Sequence, residues 1–378
     1  MVLAATSAST VSAIPVFLLG AMGFFIRSDI DFGQPQLGLA ISAFWVAMAI
    51  GGIPGGRIGQ GLGATASIRI GVLVSMAVLL GLVFATSWLA IVSLMVIAGF
   101  ANALTQPAVD LALFQGVPKD KLSLAFGIKQ TALPGAAFLA GIGVPLVANT
   151  VGWRWGFAVG ALVGAPAILF MPRLSDFRQN SKVSESLGNV RLRGIFAFVL
   201  AFALAMIAVS ATAAFYVESV IAGGNSAGLA GLFLAAGGIF GMLGRFIFAW
   251  RLGNSGQPLL STSVIMSIGG LGLIGLVYVH SGWQLLLVTL VAIGAGWGWN
   301  GLLTLAVVTS YPKTPARASG YIVLGAASGG IIGPVLFGVV VQSQGFAVSW
   351  TLASACFFFA ALILLIKNQT RKEEPSPP

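Results

Sequence analysis

The chain has 378 residues, of which 58% are hydrophobic and only 7% charged, with a mean hydropathy of +1.00. A water-soluble globule of this length covers itself with about 25% charged residues, so this composition excludes one. The formal charge of +10 is scattered between apolar runs and not gathered on one face with interleaved aromatics, which excludes a nucleic-acid-binding surface.

Apolar runs near residues 9–27, 36–56, 68–86, 89–114, 123–148, 153–171, 194–217, 228–249, 258–279, 284–309, 318–341 and 347–366 each approach the roughly 20 residues a helix needs to cross hydrocarbon. Twelve membrane-spanning helices are predicted. No Lys or Arg precedes the first run, so it reads as a retained helix and not as a signal peptide; Arg27 closes it. The second run ends in GGIPGGRIGQGLG, residues 51–63, which invites a phosphate-loop reading. That reading needs a preceding strand, a soluble βαβ unit and an acid about 20 residues on, and no acid lies between Asp31 and Asp110.

Polar side chains inside the later runs are sparse and therefore informative. In the fourth run Asn102, Gln106 and Asp110 recur at i, i+4 and i+8, one face of a helix, with Thr105 beside them. Lys129 in the fifth run follows a short turn over residues 118–122, so it reaches a depth similar to that of Asp110. Two readings stay open for this pair: a structural ion pair, or a coupling acid beside a lysine that holds an anionic solute. Arg154 between Trp153 and Trp155 reads as an interfacial anchor. The seventh run offers Ser210, Thr212 and Tyr216, and Glu218 just past its end reads as a solvated loop charge. The tenth run carries Trp297, Asn300 and Thr304 at i, i+3 and i+7. Such amides and hydroxyls serve either a polar cavity or interhelical contacts worth about 0.6 kcal/mol each. Arg27 is either a contact at the outer end or a snorkelling cation. One cysteine, Cys356, and one histidine, His280, leave no intrachain disulfide and no Cys or His metal cluster, so no metal, cofactor or catalytic set is expected, and enzyme chemistry is not.

Placing both termini in the cytoplasm puts all nineteen Lys and Arg there except Arg27 and Arg154, a strong positive-inside bias. The chain also repeats itself. Gly51-Gly52-Ile53 with Gly56-Arg57 recurs as Gly237-Gly238-Ile239 with Gly244-Arg245; Asn102-x-Leu104 recurs as Asn300-x-Leu302, and Pro118-Lys119 as Pro312-Lys313. Two six-helix units in one orientation, joined by the polar stretch 172–193, form a parallel repeat about an axis along the membrane normal, an arrangement from which secondary transporters are built. The expected units are an N-terminal bundle over 1–171, a cytoplasmic linker over 172–193, a C-terminal bundle over 194–367 and a cytoplasmic tail over 368–378. The paired glycines are expected to let backbones approach closely, and the two arginines to mark the cytoplasmic helix ends.

This duplication, with a glycine-rich, arginine-bearing end on the second and eighth helices, resembles the major facilitator superfamily over essentially the whole chain. In that family the loop after the second helix reads Gly-x-Leu-Ala-Asp-Arg-x-Gly-Arg; Gly56, Ile58, Gly59 and Gly63 fit, while Gln60 replaces the aspartate and Gly61 the arginine. Met95 stands where the family's proton-coupled drug antiporters carry an arginine, and Gly135 to Pro145 does not match their fifth-helix signature. The segment from Gly127 to Phe157 resembles a bacterial branch that includes cyanate-transporter-like and uncharacterised members. The resemblance implies a central cavity lined by the first, fourth, seventh and tenth helices. The solute-binding candidates are Asn102, Gln106, Asp110, Lys129, Trp297, Asn300, Thr304 and Arg27, and the gate and loop candidates Gly56, Arg57, Gly63, Gly244 and Arg245. The resulting expectation is an all-α, twelve-helix secondary transporter, monomeric, in the plasma or bacterial inner membrane. It moves a small solute, an organic anion among the readings, with a proton or sodium as the coupling ion. A multidrug or metabolite efflux carrier of the same fold and a non-transporting receptor are the alternatives.

Overall fold

The computed structural model describes residues 1–172, 192–252, 257–311 and 314–373. Most of the expected linker, the end of the expected tail and the Pro312-Lys313 echo lie outside them.

Among the described residues twelve spans follow one another. α1 is Val2–Ala21, continued by Gly23–Ile30; α2 is Gln34–Leu62, α3 Ala64–Val83 and α4 Trp88–Gly116. α5 comprises Leu122–Gln130 and Ala132–Gly143 with a wider turn at Val144–Ala148, and α6 comprises Trp153–Leu162 and Ala165–Phe170. In the second half α7 is Leu192–Ala222, α8 Ala227–Leu252 and α9 Pro258–Tyr278, while α10 comprises Gly282–Gly298 and Asn300–Ser310. The last helical stretch, Pro315–Glu373, is two spans divided at Gly345, whose φ of 81° no helix allows: α11 over 315–344 and α12 over 346–373. Gly63, at φ 80°, makes the corresponding sharp turn between α2 and α3. Large apolar side chains such as Ile53, Leu89 and Leu271 lie exposed, as they do on a surface that meets lipid.

Contacts between the two halves concentrate at one end, which we call the Arg27 end; the chain's first residue lies at the other. A Cβ on Gly20 of α1 would fall 2.2 Å from the Ala213 carbonyl oxygen of α7, and one on Gly38 of α2 2.2 Å from that of Pro334 of α11. Only glycine permits such approach, and in lipid close backbone packing is what holds helices together. Ser42 donates to the Ile331 carbonyl at 2.6 Å, sealing the next turn inward. Farther from the Arg27 end the same two helices part: Gly52 and Gly56 of α2 and Gly320 of α11 have nothing within 4 Å of a built Cβ. The expectation of close packing thus holds for Gly51 and Gly55, which lie against Phe100 and Ala103 of α4, and for Gly237, Gly238 and Gly244 of α8, but not for Gly52 or Gly56.

Candidate functional site

Where the halves part they enclose a cavity of about 400 Å³ lined from both sides. The volume falls within the 300–1,000 Å³ typical of small-molecule sites. The polar stripe of α4 faces it through Asn102, Gln106 and Asp110, and the stripe of α10 through Trp297, Asn300 and Thr304. Helical spacing on two separate spans thus brings six candidates to one cavity.

Their chemical states differ. Asn102, 5% exposed, donates to Ser12 Oγ of α1 at 3.0 Å, and Gln106 donates to the same hydroxyl at 3.2 Å. These amides tie α4 to α1 while showing an edge to the cavity. On α10, Asn300 makes no side-chain hydrogen bond among the described residues, and its backbone carbonyl accepts from Thr304 Oγ1 at 2.9 Å. The Nε1 of Trp297, a residue 2% exposed, is buried without a partner among the described residues, as is that of Trp45 on the facing wall. A buried indole N–H without an acceptor is rare enough to need a reason.

Arg245 is the largest departure from the expected layout. The sequence assigns it to a helix end, but α8 runs on to Leu252, and the Arg245 side chain lines the cavity. Two backbone irregularities receive it. Pro134 has no N–H, so the Gln130 carbonyl lacks its helical donor, and Arg245 Nη1 donates to it at 2.7 Å. At the break in α10 beside Trp299, Arg245 Nε donates to the Trp297 carbonyl at 3.0 Å. Gly244 brings α8 this near: a Cβ there would meet the Gly294 carbonyl oxygen at 2.8 Å. No carboxylate of the described residues pairs with Arg245. Its repeat counterpart, Arg57, is exposed.

Lys129 does not line the cavity. Its ammonium is 3.0 Å from Asp110 Oδ1, an ion pair between α5 and α4 in which the Asp110 side chain is 45% exposed. Arg27 also lies away from the cavity, and Glu218 corrects the sequence expectation outright. α7 extends to Ala222, which places Glu218 inside the helix, 5% exposed and ion-paired with Arg27 across the halves. Gln34 of α2 donates to the same carboxylate oxygen at 3.2 Å, and Arg27 Nε donates to the Phe32 carbonyl at 2.9 Å. This clasp closes the Arg27 end; opposite charges at the ends of the first and seventh runs are the signal the sequence offers for it. Arg154 pairs with Asp29 and stacks over the Trp153 ring at 4.3 Å.

The seventh-helix candidates do not line the cavity. Ser210 and Thr212 donate to carbonyls of their own helix at 2.7 Å, and Tyr216 bonds Thr289 of α10 at 2.5 Å. α7 contributes Phe202, Met206 and Val209 instead, apolar residues that no polar pattern marks.

A family model described as Major Facilitator Superfamily matches residues 1–334. No curated protein matches the chain. Among solved structures, a bacterial homolog to the human lysosomal transporter Spinster, in an inward-facing and occupied conformation, is similar at a TM-score of 0.77 with 16% identity, covering 100% of this chain and 98% of that one. A D-xylose-proton symporter is similar at 0.77 with 15% identity over 96% of both chains. The nucleoside transporter NupG, in a point-mutant form, reaches 0.79 with 14% identity over 97% of this chain and 99% of that one.

Proposed function

Because the chain belongs to the Major Facilitator Superfamily and is a secondary transporter, not an enzyme, we propose that the cavity between its halves is the site of a small solute, exposed alternately to the two sides of the membrane. The observation that carries this reading is the combination of one cavity lined by both halves with an ion-paired clasp between them at the Arg27 end. Asn102, Gln106, Trp297, Asn300 and Thr304 face the solute, and Arg245 joins them. Arg27 and Glu218 form the gate that must part when the opposite face opens. Residues 1–171 and 194–367 are the two rocking units, joined by 172–193. The positive-inside bias supports a protein of the plasma or bacterial inner membrane with both termini cytoplasmic, so that the cavity opens toward the cytoplasm. The unit that works is a monomer in the lipid bilayer.

Asp110 is the one acid lining the cavity among the described residues, which suits it to carry a coupling proton: protonation would release Lys129, and the released pair reports the load to α5. A second reading, efflux of apolar compounds, draws on the aromatic walls formed by Phe17, Phe44, Phe202 and Trp299. Purified protein in liposomes, challenged with radiolabelled benzoate, benzylamine and xylose, tests the function. Saturable flux of one probe class is expected. Binding of a probe without flux would make the protein a receptor and overturn the reading.

A further inference from the structure

We propose that the solute is a monocarboxylate with an apolar body, its carboxylate seated on the Arg245 guanidinium beside Trp297. The inference rests on the cavity being the solute site and deepens that reading. Three observations converge. Asp110 and Arg245 are the charged residues lining the cavity, and Asp110 is already neutralised by Lys129, so the cavity holds one uncompensated positive charge among the described residues. Arg245 spends Nε and Nη1 on neutral carbonyls, and Nη2 makes no hydrogen bond among the described residues. Beside it lie Trp297, whose carbonyl accepts from Arg245 and whose Nε1 is buried without an acceptor among the described residues, and, three residues on, Asn300, whose side chain makes no hydrogen bond among them.

A guanidinium desolvated among apolar walls without a carboxylate is a costly arrangement that an anion relieves, and its planar fork matches a carboxylate. An ammonium solute would meet repulsion and leave every donor unpaired. A neutral sugar would leave the positive charge uncompensated. A dicarboxylate would bring a second charge against Phe17, Phe44 and Phe202, where no second free cation waits among the described residues. The remaining volume therefore suits an alkyl or aryl body. Position also ties binding to movement. Arg245 belongs to the second half and its Gln130 acceptor to the first, so a carboxylate that competes for the guanidinium loosens a bond between the halves.

The test is thermal unfolding of the full-length protein in detergent with benzoate and hexanoate, against benzamide, hexanamide, benzylamine and succinate. Benzoate and hexanoate should raise the melting temperature in a saturable way, while the amides, the amine and succinate leave it unchanged. Arg245→Gln should weaken benzoate at least tenfold and Arg245→Lys less, and Trp297→Phe, which keeps an aromatic ring and removes the donor, should weaken it severalfold. Should Arg245→Gln fail to fold, the carboxylate-against-amide comparison on the unaltered protein decides alone. Equal effects of benzoate and benzamide, or a response to benzylamine or succinate only, would overturn the monocarboxylate while leaving the cavity as a solute site. A benzoate effect unchanged in Trp297→Phe and Arg245→Lys would show Arg245 to be a structural bridge and overturn the site. To separate these failures from failure of the cavity itself, Thr304→Cys in a Cys356→Ala background is labelled with a thiol reagent. Protection by a probe other than a monocarboxylate keeps the cavity and rejects the ligand class, and labelling that no probe slows rejects both.

Discussion

The two halves of the molecule share one repeated pattern, yet its matching residues, Asn102 with Asn300 and Arg57 with Arg245, meet different surroundings. In the first half Asn102 and Gln106 are bonded to Ser12, Asp110 to Lys129, and Arg57 is exposed away from the cavity. In the second half Trp297 and Asn300 keep unpaired donors and Arg245, the counterpart of Arg57, enters the cavity without a counter-charge among the described residues. A satisfied polar group contributes to packing, whereas an unsatisfied one stores free energy that a ligand releases. At these matched positions the first half braces the site and the second reads it, while Trp45 of the first half adds an unpaired donor of its own.

The largest test of that contrast replaces the equivalent arginines in turn. Arg245→Gln should lower solute affinity and uptake about 10- to 100-fold, the effect of losing a charged hydrogen bond of about 1.5–3 kcal/mol, while Arg57→Gln stays within about twofold. Radiolabelled uptake into liposomes reads both, and equal losses would dissolve the asymmetry. The repeat asparagines sharpen it further. Asn102→Ala removes an interhelical hydrogen bond and should cost about 0.6 kcal/mol, at most about 1.7, in thermal unfolding, whereas Asn300→Ala should weaken binding and leave unfolding unchanged.

For Asp110 and Lys129, the half-exposed position of the aspartate limits the loss from either Asp110→Asn or Lys129→Gln to about 1 kcal/mol. The double substitution should recover folded yield. It should also abolish accumulation against a gradient while sparing downhill exchange, because an amide carries no coupling proton. Full uphill transport in the double variant would remove the pair from the mechanism.

The smallest effect is expected at Asp29, whose carboxyl is held below its ordinary range by hydrogen bonds from Arg154 and Trp153. A lowered carboxylate pKa contributes stability above the unfolded value and loses it as pH falls through the folded one. A slight deficit of Asp29→Asn at neutral pH should therefore vanish in acid, where a deficit that persisted would point to packing.

How much of this is legible in the sequence follows from which forces set each feature. The bilayer dictates span length, so the twelve runs and the break at Gly345 can be read directly, and helical period gathers Asn102, Gln106, Trp297 and Asn300 on faces that meet the cavity. Arg245 is not legible, because its acceptors are backbone carbonyls freed by Pro134 and by the break beside Trp299, features of other helices. Glu218 misleads for a related reason: an acid at a helix end looks solvated until the partner helix brings Arg27 against it. Phe202 and Met206 carry no polar signature at all, and only tertiary packing separates a cavity wall from a core.

The central claim, one cavity open at one end and sealed at the other by a clasp, is tested most directly by the side from which it can be reached. In the Cys356→Ala background, Thr304→Cys should react with a membrane-impermeant thiol reagent applied from the side of the termini and resist it from the Arg27 side. Adding Glu218→Gln, which weakens the clasp, should admit the reagent from the Arg27 side. Reaction from the Arg27 side with the clasp intact, or protection from both sides whatever residue stands at 218, would contradict the account.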